Sequence, residues 1–79
     1  MLEKMIMLDT IDSVRKFSDI ASSKDYSIEL ESGKYTVNAK SIMGIFSLDL
    51  TKPVKMTAHC DMVAELARQI EPFIYKNNK

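Results

Sequence analysis

Seventy-nine residues suffice for one small domain around a single core, residues 1–79, and exclude a second. Eleven lysines and arginines balance eleven aspartates and glutamates, which excludes a general electrostatic affinity for nucleic acid or an anionic membrane. One cysteine excludes an internal disulfide and suits a reducing compartment, and no stretch approaches the roughly 18 apolar residues of a membrane span or ends in a leader cleavage site, so a cytoplasmic protein is expected.

The chain opens with Lys4-Met5-Ile6-Met7-Leu8, a run too short and too evenly apolar for an amphipathic helix. It predicts a strand over 3–9, buried on both faces or at the sheet centre. Asp9 to Ser13 offers several helix-capping side chains, and Val14, Phe17, Ile20 and Ala21 then recur on one helical stripe, predicting a helix over 13–22. Tyr26-Ser27-Ile28-Glu29-Leu30-Glu31 alternates as a half-buried strand does. Ser32-Gly33 separates it from a second alternating run, 34–38, at the spacing of a tight antiparallel hairpin.

Ser41 stands directly before Ile42-Met43-Gly44-Ile45-Phe46, where its hydroxyl can accept from the free N–H groups of a first helical turn. A helix is expected from 41 towards 50, with apolar residues all round it, so that some of them face solvent. Pro53 ends it, and 53–59 alternates as a fourth strand. Asp61 is placed as the N-cap of a last helix, 62–71, with Val63, Leu66, Ala67, Ile70, Phe73 and Ile74 on one stripe and Pro72 near its end. Asn77-Asn78-Lys79 reads as a polar, frayed end. The order β-α-β-β-α-β-α, with one-sided strands and three helices each apolar on one face, packs most economically as an α+β open-faced sandwich: four strands with the helices on one side. Phe17, Ile28, Val37, Leu48, Leu66 and Ile70 are the expected core.

Lys40-Ser41-Ile42-Met43-Gly44, followed by an apolar residue and Ser47-Leu48, resembles the regulatory-serine motif of HPr, the small phosphocarrier of the phosphoenolpyruvate-dependent sugar phosphotransferase system. Upstream, Ser23-Lys24 and the run Ile28 to Asn38 match the family's Ser-Lys and Ile-x-Leu-Glu-x-x-Gly-Lys-x-Val-Asn, so the resemblance is strong over residues 23–50. It implies the same open-faced sandwich, with the first strand beside the fourth and all neighbours antiparallel. It also implies protein partners from the phosphotransferase or carbon-regulation system, a dedicated kinase for Ser41, and no cofactor. The family's phosphocarrier motif, a histidine followed by Ala-Arg-Pro after the first strand, is missing from the stretch Thr10 to Lys16.

In its place stand Asp12, a candidate for the histidine's position or a cap of the first helix, and Arg15. Ser41 is the candidate phosphorylation site, against the plain reading of an ordinary N-cap. Lys40, Ile42, Met43 and Phe46 are the candidate partner-binding surface, against the reading that the apolar three only complete the core. His59, the single histidine, is expected at the far end of the sheet from the start of the first helix. A Cys/His nucleophile at His59-Cys60 lacks a third orienting group, two such neighbours make no zinc site, and two glycines make no phosphate loop. The expected function is therefore a non-enzymatic regulatory or binding protein. A small carrier or enzyme using His59, Cys60 or Asp12 is the alternative, and a homologue that only binds one partner is a third.

Overall fold

The computed structural model describes residues 1–76, in the order β1 (Leu2–Ile6), α1 (Ile11–Ser22), β2 (Ile28–Ser32), β3 (Tyr35–Asn38), α2 (Ile42–Phe46), β4 (Val54–Ala58) and α3 (Ala64–Gln69), then a 3-10 turn at Glu71–Phe73. The expected order holds, and Asn77-Asn78-Lys79 lies outside the described residues.

Alternation along the strands gives the sheet two unlike faces. Val54, Met56 and Ala58 of β4 are buried while Lys55 and Thr57 are half-buried, and β2 likewise buries Ile28 and Leu30 but not Glu29 and Glu31. Pairing stacks like with like, with Leu30 opposite Met56, Ile28 opposite Ala58 and Ile6 opposite Val54. The core joins these residues to Val14, Phe17 and Ala21 of α1, Ile45 of α2 and Leu66 of α3. The other face is polar, with Lys55 Nζ between Glu3 (3.8 Å) and Glu31 (3.9 Å). The result is an α+β, four-stranded antiparallel sheet of order β1-β4-β2-β3 with three helices. Since β1 and β2 both run antiparallel to β4, they are parallel to each other and α1 is their crossover.

Several boundaries differ from the sequence reading, each for a local reason. The first strand is an edge rather than the sheet centre, ends at Ile6 instead of residue 9, and exposes Glu3, Lys4 and Met5. Its apolar continuation is explained by the chain's other end: Met7 N–H donates to Phe73 O (2.7 Å), Tyr75 N–H donates to Met5 O (2.9 Å), and Ile74 bridges to Ile6. Strand β2 begins at Ile28, not residue 26, with Tyr26 packed against the core from the preceding loop. The hairpin turn is Gly33-Lys34, one residue later than Ser32-Gly33, because Ser32 already pairs with Tyr35. Gly33 takes φ 61°, as the first position of a type II′ turn demands. Val37 is only half-buried, since β3 is the opposite edge strand.

The helices are shifted too. Helix α1 starts earlier, at Ile11, with Thr10 as N-cap, so Asp12 lies inside the first turn and caps nothing. Helix α2 stops at Phe46, far short of residue 50: Ser47 Oγ donates to Gly44 O (2.6 Å), and the turn that follows still buries Leu48. Helix α3 spans only Ala64–Gln69, and Asp61 is not its cap; Val63 holds that position without a side-chain bond. Asp61 instead meets the N-terminal ammonium at 3.5 Å. Pro72 sits inside the 3-10 turn, which needs fewer N–H donors than a continuing α-helix.

That turn delivers Phe73 edge-on to Phe17, ring centroids 5.8 Å apart at 80°, joining α1 to the C-terminal segment in the core. Phe17→Ala is expected to cost about 3–5 kcal/mol and Leu66→Ala about 2–5 kcal/mol, with Val37→Ala well below both, because only the first two leave fully buried cavities. Chemical denaturation of the three variants checks the order.

Candidate functional site

Ser41 is exposed and caps α2: its Oγ accepts from Gly44 N–H at 3.1 Å, and its own N–H donates to Asn38 O at 3.0 Å. Gly44 is fitted to this cap, since a Cβ there would lie 3.3 Å from Ser41 Oγ and 3.4 Å from the Val37 Cβ. Of the apolar residues that follow, Met43 (76% exposed) and Phe46 (42%) stand in solvent, Ile45 is buried, and Ile42 packs partly against the core. Met43 and Phe46, three apart on one short helix, therefore form the exposed apolar spot, with Ile42 at its margin. Lys40 is not beside them in the same sense. Its Nζ donates to Lys24 O at 2.7 Å in a part-buried bond, which ties the approach to α2 to the loop after α1.

Beyond α2, Asp49 Oδ1 accepts from the hydroxyl (2.6 Å) and the N–H (3.1 Å) of Thr51. These two bonds to the ionised form hold the Asp49 carboxyl below its ordinary value, with Lys52 adding a smaller effect.

Helix α1 packs beside α2, and its start is closed by its own side chains. Thr10 Oγ1 accepts from Ser13 N–H (3.0 Å), while Ser13 Oγ accepts from Thr10 N–H (3.2 Å) and donates to Thr10 O (2.8 Å), a reciprocal capping box. Asp12 is exposed and pairs with Lys16 at 3.0 Å, one turn on. Arg15 is exposed and has no ion pair among the described residues. Asp12 and Arg15 thus stand one turn apart on α1, and no ion pair joins them.

His59 follows β4 at the end of the sheet where Ala58 pairs with Leu2, whereas α1 begins beyond the opposite end, where Ile6 pairs with Val54. Its Nε2 lies 2.9 Å from Glu29 Oε1 and its N–H donates to Ser27 O at 2.9 Å. Cys60 is half-buried, with Sγ 3.7 Å from Met62 O. No group of three or more potential metal ligands occurs among the described residues.

A parallel strand pair split by a third strand, with the crossover helix starting over one sheet end and a serine-capped short helix beside it, defines the class of small α+β domains that phosphocarriers use. A family model described as PTS HPr component phosphorylation site matches residues 13–73, and the chain belongs to the HPr family. Members of this family are phosphocarriers of the sugar phosphotransferase system rather than enzymes, and their partners are proteins of that system. Among solved structures, the crystal structure of HPr-C-His from Thermoanaerobacter tengcongensis is similar, at 31% identity over 94% of this chain and 91% of that one, with a TM-score of 0.77. A search among curated proteins gave no match.

Two features escaped the sequence reading. The capping box was signalled by Thr10 and Ser13 standing three apart, although the usual third partner is Glu or Gln rather than Ser. The other is Lys24, nine-tenths buried with its ammonium 3.1 Å from Glu65, next to Tyr26, whose hydroxyl pKa is pushed up mainly by burial. Nothing local in the sequence marks that long-range pair. The Asp49 turn can be tested directly. With its folded pKa depressed, Asp49 stabilises the fold above the unfolded value of about 3.9, and that contribution is lost as pH falls through the lower folded value. Thermal melts should show Asp49→Asn less stable than wild type near neutrality, with the gap closing below about pH 4.

Proposed function

We propose that this member of the HPr family works as a protein-binding regulator of the phosphotransferase or carbon-regulation system and not as a histidine phosphocarrier. The observation that carries the reading is that the single histidine, His59, lies at the end of the sheet opposite the start of α1, while that start is occupied by the Thr10–Ser13 capping box. A carrier needs an accessible imidazole nitrogen backed by cations and N–H donors, and here the residues at that end are Asp12, held by Lys16, and Arg15. The partner surface is Met43 and Phe46 with Ile42 at its margin, two of them adaptable, solvent-standing apolar side chains. Lys40 supports this surface by its bond to the Lys24 carbonyl.

Ser41 is the switch in this reading. It is exposed at the head of that same helix, so phosphorylation by a serine kinase adds about two negative charges beside Met43 and Phe46 and turns an apolar surface into an anionic one.

Incubation with enzyme I of the system and labelled phosphoenolpyruvate is expected to leave no acid-labile phosphate on the protein; stoichiometric labelling lost in His59→Ala would overturn the reading. In a pull-down with wild type, Ser41→Asp and Met43→Glu, both substitutions are expected to change the bound partners while the melting temperature stays nearly fixed. Identical partners for all three would remove α2 as the surface.

A further inference from the structure

We propose that the groove between α1 and the Glu71–Phe73 turn docks an arginine-bearing apolar segment of a partner protein, at a surface separate from α2. The groove encloses about 590 Å³, within the range of about 300–1,000 Å³ that ligand sites occupy. Its floor is apolar, built from Met7, Ile20, Pro72 and Phe73, where the T-shaped Phe17–Phe73 contact fixes one wall. Its rim is acidic. Asp9, Asp12 and Asp19 line it against Lys16 alone, a formal balance of three negative charges to one positive. Lys16 is already paired with Asp12 at 3.0 Å, so Asp9 and Asp19 are the carboxylates without an ion-pair partner among the described residues. Both are exposed.

This combination selects its occupant. An anionic ligand would meet two uncompensated carboxylates, and a purely apolar segment would cover them and strip their water without replacing it. An arginine satisfies both requirements, because its alkyl stem lies along Ile20 and Pro72 while its planar guanidinium bonds a carboxylate in two places. Flanking apolar side chains fill the floor. Asp12, Lys16 and Asp19 follow at i, i+4 and i+7 of α1, so the acidic rim is a stripe of one rigid helix and needs no rearrangement to receive the segment.

The test is an amide-resolved NMR titration of the whole chain with a short capped peptide of alternating leucine and arginine, run beside its leucine–glutamate counterpart. The arginine peptide is expected to shift the signals of residues 9–20 and 69–73, to bind more weakly in high salt, and to lose about tenfold or more in affinity in the Asp9→Asn/Asp19→Asn variant. Both positions are exposed, so an unchanged melting temperature certifies the fold, and Glu3→Gln on the open sheet face should bind as wild type does. Absence of binding, equal binding of the glutamate peptide, shifts confined to residues 42–46, or unaltered affinity in the double variant would each overturn the proposal. Shifts confined to residues 42–46 would place the peptide on the Met43 and Phe46 surface instead, and the other outcomes leave that surface to its own variants.

Discussion

Everything in this fold depends on β4 being paired on both sides. Its five residues alternate without exception, Val54, Met56 and Ala58 inward and Lys55 and Thr57 outward, and a slip of one residue in register would drive the whole apolar set into water. Because β4 comes late in the chain, it joins two pieces that are far apart in sequence, β1 and the β2–β3 hairpin, and makes β1 and β2 parallel without their touching. The crossover helix α1 is thereby laid across the sheet with Phe17 pointing into it. The open face then has only to be soluble, which Lys55 with Glu3 and Glu31, and His59 with Glu29, accomplish through exposed pairs of small individual worth.

This geometry separates three chemistries. One end of the sheet carries His59 and Cys60; the other carries the start of α1 with its capping box; and α2 stands beside α1 with Met43 and Phe46 outward. At that helix start the capping box already takes up two of the free donors, since Ser13 N–H has its acceptor in Thr10 Oγ1 and Thr10 N–H in Ser13 Oγ. The sites proposed for binding are thus surfaces that still have something unsatisfied: apolar area at α2, and bare carboxylates at the rim of the groove.

The order of elements and most of the core could be read from periodicity. Phe17, Ile28, Leu48, Leu66 and Ile70 are buried as their spacing implied, and Ser41 caps a helix as its place before Ile42 implied. Illegible were the places where distant parts meet. The run Lys4 to Leu8 read as a strand buried on both faces or at the sheet centre, yet Met5 is exposed, and the second neighbour of Met5 to Met7 is the segment Phe73 to Tyr75, nearly seventy residues on, and not a flanking strand. Val37 alternated like a core residue but fell on an edge. The length of α2 was overread because Leu48 and Leu50 keep a helical spacing while being packed from a turn. Of the candidate site, Ser41 and the exposure of Met43 and Phe46 were legible; the inward turn of Lys40 and the Lys24–Glu65 pair were not, for both are contacts across loops.

The short stretch in which Ile74 lies against Ile6 also bears on how this molecule avoids its own copies. A bare sheet edge offers unpaired N–H and C=O groups to any passing strand and is the usual seed of aggregation. Here the apolar half of the β1 edge, Met5 to Met7, is already taken by Phe73 and Tyr75 of the same chain, and the half that stays open carries Glu3 and Lys4. At the other margin β3 is only four residues long and is entered through Lys34. The segment from Phe73 to Tyr75 thus occupies this stretch of the edge from within the chain and leaves fewer free N–H and C=O groups for a second copy to pair with.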